Sequence, residues 1–230
     1  MKLSVIAPTF NEAENVRPLV EALTRSLDGC DYEILIVDDD SPDLTWQIAE
    51  ELAQSAARVR VLRRRSNPGL GFAVIDGFAA ATGEAVACID ADLQHDPKIL
   101  CEMLQALSNG ADMAVGCRYT HGGGTQDWSR SRRFKSWVAT KLAHWTLDAQ
   151  LNDPMSGYFM LRREDFLRVR NSLNGQGFKI LLEIVAKLKP QRIAEIPYTF
   201  RARVAGTSKL TTRIALLYLQ QLWRLCRSKA

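Results

Sequence analysis

Residues 85–95 read Ala-Val-Ala-Cys-Ile-Asp-Ala-Asp-Leu-Gln-His, an apolar run that stops at acidic and amide side chains. The run Ala85–Ile89 is too short for a helix and has no polar face, so it predicts a strand buried on both sides. Such strands are typical of parallel sheets covered by helices, whose ligands bind where the strands end. The polar cluster after Ile89 is therefore the first candidate site.

The rest of the first half alternates short apolar runs with amphipathic segments, which indicates βαβ units. We expect an α/β fold with a mostly parallel sheet and helices on both faces, its strand ends gathered at one edge by right-handed crossovers. Strands are predicted at Leu3–Ala7, Glu33–Val37, Arg58–Leu62 and Met113–Cys117, and helices at Glu12–Leu27, Leu44–Ala56, Gly71–Ala81 and Pro97–Ser108.

The second half is less regular, and it contains no internal repeat or linker rich in Pro, Gly or Ser. One domain is therefore the better interpretation. The pattern predicts a glycine-containing loop at Thr120–Ser131, strands at Tyr158–Leu161 and Ile193–Ile196, a basic loop at Arg201–Lys209, and helices at Arg133–Leu147, Arg163–Arg170, Phe178–Leu188 and Thr211–Arg227.

Composition excludes several classes of protein. Of the 230 residues, 47% are hydrophobic and 24% charged, values that exclude disordered and low-complexity chains. The five cysteines form an odd set without a Cys-x-x-Cys pair, which disfavours a disulfide framework or zinc site and favours a reducing cytosol. No signal-peptide pattern is present, and no apolar stretch reaches the roughly 18 residues of a membrane span.

The net charge of +4 is unevenly distributed along the chain. Residues 196–230 hold seven basic side chains and no acidic one. A basic tail on an acidic body predicts an anionic partner, which charge alone leaves open among phosphate, anionic lipid and nucleic acid.

Acidic clusters follow three of the predicted strands, at residues 8–12, 38–43 and 90–95. Asp90 and Asp92 alternate with Ala91, so an extended backbone would point both carboxylates to one side. Two neighbouring carboxylates repel unless a cation lies between them, and oxygen ligands, with Gln94 as a third, suit Mg²⁺ or Mn²⁺. A solvated turn that caps the next helix is the alternative, about equally favoured for Asp-x-Asp taken alone.

Other nucleotide and nucleophile motifs are absent from the sequence. It contains no P-loop, no Rossmann fingerprint after the first strand and no Gly-x-Ser-x-Gly elbow, and its three histidines have no metal-ligand spacing. Basic residues that could bind phosphate groups stand in the second half: Arg118, Arg130, Arg132, Arg133, Arg203 and Lys209.

In this order the motifs resemble those of family 2 glycosyltransferases with the GT-A fold, and within that family they are similar to the polyprenol (dolichol) phosphate mannose synthases. The resemblance covers residues 3 to about 210. It is carried by Pro8–Glu12, Val37–Asp43, Asp90–His95, Gly116–Tyr119, Gly122–Gly124, Trp128, Asp153–Gly157 and Arg203-x-x-Gly206-x-Ser208-Lys209.

The resemblance implies a role for particular residues. Guanosine would be held by Pro8, Phe10, Glu12, Val37 and Asp39, although the family usually has Tyr where Phe10 stands. The sugar nucleotide would contact Asp90, Ala91 and Asp92, and Mg²⁺ or Mn²⁺ would be bound by Asp90, Asp92 and Gln94. The acceptor phosphate would be bound by Arg118 and Arg132, and the donor pyrophosphate by Arg203 and Lys209 on a mobile loop.

The activity implied is metal-dependent, inverting transfer of mannose from GDP-mannose to a polyprenyl phosphate. Two enzyme alternatives are a lipid-phosphate transferase that uses UDP-glucose or another nucleotide sugar, and a family 2 transferase with a soluble sugar acceptor. A basic nucleic-acid-binding module ranks last, because no reader motif is present; nucleic acid is therefore not an expected partner.

Residues 1–210 are expected to form the catalytic domain and residues 211–230 an amphipathic, basic helix. Aromatic and basic side chains on Arg133–Leu147, and the wide apolar stripe of Thr211–Arg227, suggest contact with a membrane surface. Packing of both helices on the sheet is the alternative. We expect a cytoplasmic protein, peripheral on the cytoplasmic membrane face, although related enzymes often continue into transmembrane helices.

Overall fold

The computed structural model describes residues 1–126, 130–146, 151–177, 179–202 and 212–227. For residues 130–132, 135, 146 and 212–215 it describes the backbone alone.

Strands and helices alternate through the first half and then mix. The strands are β1 (Leu3–Thr9), β2 (Tyr32–Asp38), β3 (Val59–Arg63), β4 (Ala85–Cys88), β5 (Met113–Cys117), β6 (Gly124–Thr125), β7 (Phe159–Arg162), β8 (Ile193–Pro197) and β9 (Thr199–Phe200). The helices are α1 (Ala13–Ser26), α2 (Thr45–Ser55), α3 (Leu70–Ala80), α4 (Leu100–Ser108), α5 (Arg130–Thr146), α6 (Arg163–Val169), α7 (Ile180–Leu188) and α8 (Thr212–Arg227), with short 3-10 turns at Pro97–Ile99 and Arg170–Ser172.

A seven-stranded sheet in the order β3-β2-β1-β4-β7-β5-β8 forms the centre of the fold. All its pairs are parallel except those of β7, so the expected α/β architecture is confirmed. The chain winds outward from β1 to β3 and then crosses to place β4 on the other side of β1. Ligands of such sheets bind at this reversal, outside the carboxyl ends of the strands.

Strand β7 runs antiparallel to both of its neighbours, β4 and β5. Segment 153–157 lies at the carboxyl edge of the sheet, where Ser156 bonds to Gly116, so the chain returns directly down the sheet without a crossover. The apolar side chains of β7 predicted a strand at Tyr158–Leu161. An apolar run does not indicate whether a strand runs parallel or antiparallel to its neighbours.

Two apolar layers cover the sheet. One face packs against α1, α2 and α4, and the other against α3, α6, α7 and the inner side of α8. Helix α8 buries Tyr218, Leu222 and Leu225, and the Tyr218 hydroxyl donates to the Ala139 carbonyl oxygen of α5 at 2.7 Å. The split at residue 210 stays a prediction, but α8 is part of this core.

A second, two-stranded sheet joins β6 to β9. The sequence predicted only a loop at Thr120–Ser131, and this is corrected for Gly124–Thr125. Strands of two residues are too short to show any periodicity. The pairing brings the chain after Gly122 beside Thr199 and Phe200, next to the carboxyl ends of β5 and β8.

A buried carboxylate, Glu33, joins β1, β2 and the turn before β4. It accepts hydrogen bonds from Ser4 Oγ at 2.5 Å, from the Thr82 N–H at 2.6 Å and from Arg60 Nη1 at 2.7 Å. Burial opposes ionisation, but these donors outweigh it and lower the pKa of Glu33 from 4.5 to about 2.

Glu33 should therefore make the fold acid-sensitive. A carboxylate whose folded pKa is depressed stabilises the protein fully above its unfolded pKa, and that contribution is lost as the pH falls from about 4.5 towards 2. Chemical denaturation between pH 7 and 2 should show a shallower loss for Glu33→Gln than for the wild type. The exposed carboxylate of Glu51 provides the control, and Glu51→Gln should follow the wild-type curve; equal slopes for all three proteins would contradict this role.

Candidate functional site

The carboxyl ends of β1 and β2 form the first wall of the site. Register pairing sets Pro8 beside Val37, so both residues lie at the same level of the sheet. The Phe10 ring beyond β1 is 44% exposed, which leaves a flat apolar surface at the rim. Glu12 is buried, and its carboxylate accepts from Asn15 Nδ2 at 2.7 Å. The structure thus brings these four predicted guanosine contacts to one edge, where Asp39, the fifth, also lies and donates its N–H to the Thr9 carbonyl oxygen at 3.1 Å.

The fifth, Asp39, is held by a buried arginine that the sequence did not indicate. Arg64, just after β3, pairs with Asp39 and also donates to Asp76 Oδ2 at 2.8 Å and to the Asn67 carbonyl oxygen at 2.8 Å. The other Asp39 oxygen accepts the Gly69 N–H at 2.6 Å. Burial raises the pKa of Asp39, and these donors oppose the rise.

The place of Asp38 directly after an apolar strand predicts that it accepts a hydrogen bond from a base or ribose, but in the structure it has a structural role. It is fully buried, and it accepts from Thr9 Oγ1 at 2.8 Å and from the Ser41 N–H at 2.8 Å. Asp43 accepts from the Thr45 N–H at 3.1 Å at the start of α2. Only Asp39 of this cluster remains a candidate ligand.

The chain after β4 supplies the candidate metal ligands. The Asp90 side chain is 36% exposed, whereas Asp92 is only 6% exposed and accepts the Gln94 N–H at 3.2 Å. Gln94 is buried, and its Nε2 donates to the Arg201 carbonyl oxygen at 2.8 Å. Because that bond turns the NH₂ group towards Arg201, Oε1 is the atom that can face a cation.

His95 is not a candidate ligand or base. Its ring stacks on Tyr158 with centroids 4.9 Å apart, and its Nδ1 accepts the Asp90 N–H at 3.1 Å. Burial, with smaller contributions from Arg118 and Lys179, lowers the pKa of His95 to about 3, so the ring is neutral. Its role is to shape the backbone that presents Asp90.

This donor set fits a hard divalent cation better than zinc. No group of three or more His, Cys, Asp or Glu side chains close enough to hold a metal occurs among the described residues. Mg²⁺ typically takes one or two carboxylates and completes its shell with substrate phosphates and water. Asp90, Asp92 and the Gln94 carbonyl oxygen are a set of that kind.

A buried ion pair lies beside the metal motif. Arg118, after β5, donates from Nε to Asp153 Oδ2 and from Nη2 to Asp153 Oδ1, both at 2.7 Å. Burial lowers the pKa of Arg118, but the hydrogen bonds and charge of Asp153 outweigh this and raise it. Two nitrogens of the predicted phosphate ligand are thus bound to Asp153, a partner that the sequence did not identify.

Lys179, before α7, is a second cation that the sequence reasoning missed. Its ammonium donates to the Met155 carbonyl oxygen at 2.6 Å, and burial lowers its pKa to about 8. The motif Asp153–Gly157 was the only related signal in the sequence. Its role follows from the contact between Met155 and Lys179 in the structure.

Four of the basic residues proposed as phosphate ligands have side chains that the structure does not describe. Arg130 and Arg132 lie in α5 with only their backbone described, and Arg203 and Lys209 lie outside the described residues. Their roles stay predictions. Arg133 is exposed on α5.

Within the described ranges, no helix combines the length and hydropathy that crossing a bilayer requires.

Known proteins match this chain over most of its length. Residues 4–170 match the family model of glycosyl transferase family 2. The dolichol-phosphate mannosyltransferase of Pyrococcus furiosus is 43% identical over 229 residues, covering 99% of this chain and 64% of the relative, so the chain spans less than two thirds of that relative's length. The dolichol-phosphate mannosyltransferase of Mycosarcoma maydis is 39% identical, covering 97% of this chain and 79% of the relative.

A solved structure shares the fold. The mannosyltransferase of Pyrobaculum calidifontis, in complex with GDP-Man and Mn²⁺, superposes with a TM-score of 0.67 at 17% identity, covering 96% of this chain and 64% of that one.

Proposed function

The chain belongs to glycosyl transferase family 2, and we propose that it transfers mannose from GDP-mannose to a dolichyl-type polyprenyl monophosphate, giving polyprenyl-phosphate-mannose and GDP. The observation that carries the proposal is the meeting of Pro8, Val37 and the Asp90–Gln94 motif at the reversal of strand order. The relatives named dolichol-phosphate mannosyltransferase, at 39–43% identity across nearly the whole chain, support the choice of donor sugar and acceptor.

The donor would lie across the ends of β1, β2 and β4. The exposed Phe10 ring offers a stacking surface for guanine, and Asp39 and Glu12 offer acceptors to base or ribose. Ring packing survives the replacement of the family's usual Tyr by Phe10, whereas the phenol hydrogen bond does not. Asp90 and Asp92 face the diphosphate and sugar, and Arg203 and Lys209 are assigned to the diphosphate.

A divalent cation fits the donor set of Asp90, Asp92 and Gln94, and when bound it would offset the negative charge that develops on the leaving diphosphate. The Pyrobaculum mannosyltransferase, solved with GDP-Man and Mn²⁺, supports a metal of this kind. Both Mg²⁺ and Mn²⁺ match these ligands.

The nucleophile needs no strong general base. A phosphate monoester has a second pKa of about 6 and is already dianionic near neutral pH. Since Nδ1 of the buried His95 already accepts the Asp90 N–H, we assign His95 no role as a base and assign catalysis to alignment and charge stabilisation. Arg118, anchored by Asp153, and Arg132 are assigned to orient the attacking oxygen, and one direct displacement inverts the anomeric centre.

Radiolabelled GDP-mannose, incubated with polyprenyl phosphate with and without EDTA, tests the proposal. We expect label in the lipid phase only when both acceptor and free divalent metal are present. Transfer from UDP-glucose but not from GDP-mannose would select the first alternative. Label on a soluble sugar without any lipid acceptor would select the second.

We also propose that the face made by α5 and α8 contacts a membrane surface. Both helices expose large apolar side chains: Phe134, Trp137, Trp145, Leu216, Leu219 and Trp223, which are 50–83% exposed. Arg133, Lys141 and Arg227 are exposed on the same two helices. Aromatic and basic side chains in this arrangement suit the headgroup region of anionic lipid.

The double variant Trp145→Ser/Trp223→Ser should lose vesicle binding without loss of fold. The two rings are 83% and 58% exposed, so they add little to the core, while each large apolar side chain buried in lipid contributes about 1.5–3 kcal/mol. Flotation with anionic phospholipid vesicles over a range of lipid concentrations should show at least a tenfold lower partition constant, since about 1.4 kcal/mol corresponds to a tenfold change in an equilibrium constant. Leu167→Ser, which removes a 40% exposed side chain on α6, is the control; equal loss in both variants would contradict the assignment.

A further inference from the structure

Segment 153–157 forms the wall opposite Asp90, and three contacts hold it in place. Asp153 binds Arg118 after β5, Ser156 Oγ donates to the Gly116 carbonyl oxygen at 2.8 Å, and the Met155 carbonyl oxygen accepts from Lys179 Nζ at 2.6 Å. The segment approaches Asp90 closely, because a Cβ at Gly157 would lie 3.2 Å from both carboxylate oxygens. A shift of this segment would therefore move or uncover Asp90.

The Lys179 ammonium lies inside a charged group drawn from four parts of the chain. It interacts electrostatically with Asp90, Asp153 and Arg118. Two cations and two carboxylates thus share this interior, with the donor-side carboxylate Asp90 at one end and the pair Arg118–Asp153 at the other. Loss of Lys179 would leave the buried Asp153 and the partly exposed Asp90 with Arg118 as the one cation of this group, and unbalanced charge beside a fully buried carboxylate is costly.

The main chain of Lys179 is itself fixed by a helix far along the sequence. Gln221, buried on α8, donates from Nε2 to the Lys179 carbonyl oxygen at 3.0 Å and to Glu183 Oε1 at 3.1 Å. Glu183 in turn accepts the Asn174 N–H at 2.9 Å. The base of the Lys179 side chain is thus set by the packing of α8 on α7.

We propose that Lys179 is a positioning residue of this site, holding segment 153–157 against Asp90 through the Met155 carbonyl oxygen and balancing the charge of the carboxylates around it. The expected effect of Lys179 on kcat rests on the proposed function, whereas its expected effect on the position of segment 153–157 does not. Lys179 acts through the segment and Asp90 and does not bind the acceptor phosphate.

Lys179→Met and Lys179→Arg test this by two separate measurements. Hydrogen exchange followed by mass spectrometry, without substrate, should show amides of residues 153–157 exchanging about tenfold faster in Lys179→Met, because about 1.4 kcal/mol of local stability corresponds to tenfold. In turnover assays, kcat should fall on the order of 10²-fold, as expected for small misplacement of reacting groups. Both KM values should stay within about threefold, since no substrate contact is removed.

The arginine variant keeps the charge and should recover part of kcat and of the protection from exchange. Lys187→Met, an exposed lysine on the same α7, is the control and should match the wild type in both measurements. A rise in acceptor KM that carries the whole loss would show that Lys179 binds the acceptor and would overturn the proposal. Unchanged exchange at residues 153–157, or equally faster exchange over the whole chain, would overturn it as well.

Failure of the two proposals can be told apart. If the wild type does not use GDP-mannose with polyprenyl phosphate while exchange behaves as described, the proposed function fails and the positioning of the segment stands. If the wild type transfers mannose and Lys179→Met does so equally well, the positioning role fails alone.

Discussion

Asp92→Asn should abolish most of the turnover and leave the fold intact. The amide keeps the volume of the side chain and an oxygen that can accept the Gln94 N–H, now bonded at 3.2 Å, so segment 92–94 keeps its local support. What is lost is the negative charge on a side chain only 6% exposed, placed where the proposed cation and diphosphate meet. Removing one such electrostatic contact lowers kcat on the order of 10³-fold.

Turnover should be measured across a range of Mn²⁺ and Mg²⁺ concentrations, together with the thermal midpoint. We expect the residual activity of Asp92→Asn to be nearly insensitive to EDTA, because the charge that favours metal binding is gone. Asp28→Asn, an exposed carboxylate between α1 and β2 at the opposite edge of the sheet, should behave as the wild type does. Wild-type kcat and metal dependence in Asp92→Asn would remove Asp92 from the metal site.

Much of the site was predictable because its residues lie at the ends of strands. The short apolar runs before Pro8, Asp38 and Asp90 predicted parallel strands, and parallel strands joined by right-handed crossovers must end at one edge. Local chemistry then limits the choice of ligand, since carboxylates two residues apart favour a hard cation. These are short-range rules; the parallel pairing of β1 with β2 and β4 confirms the first, whereas the cation stays a prediction.

The supporting groups were not predictable, because they depend on contacts between distant parts of the chain. Arg118 and Asp153 are 35 residues apart. Met155 and Lys179 are separated in the sequence by β7 and α6, and they come into contact only in the folded chain. No rule of sequence spacing predicts either pair. Arg64 is a similar case, because nothing in the sequence near β3 indicates that it pairs with Asp39 after β2.

For helix α8 the sequence predicted an apolar stripe but not how much of it is buried. Its apolar stripe is wider than a core helix needs, and the sequence left open whether it packs on the sheet or lies on a membrane. The structure divides the stripe: Tyr218, Leu222 and Leu225 are buried, while Leu216, Leu219 and Trp223 are exposed. Hydrophobic periodicity locates an apolar face, but only the partner helices decide how much of it remains exposed to solvent.

Asp153→Asn should be the most destabilising substitution near the site. Asp153 is fully buried and binds Arg118 through both carboxylate oxygens at 2.7 Å, and it also accepts the Arg118 N–H at 3.2 Å. The amide leaves a buried guanidinium without its counter-charge and offers one acceptor oxygen in place of two. Breaking a buried pair from one side costs about 3–5 kcal/mol.

For a domain of this size each kcal/mol lowers the thermal midpoint by about 2–4 °C, so the midpoint of Asp153→Asn should fall by roughly 10 °C. Asp40→Asn is the matched control, because its partner Arg63 and Asp40 itself are 25% and 41% exposed and such pairs contribute about 0–1 kcal/mol. The double variant Arg118→Met/Asp153→Leu removes both charges and should recover most of the stability, yet not the activity, since Arg118 is assigned to the acceptor phosphate. If Asp153→Asn proved as stable as Asp40→Asn, the pair would not be the electrostatic anchor of segment 153–157. Recovery of both stability and turnover in the double variant would instead show that Arg118 serves the fold alone.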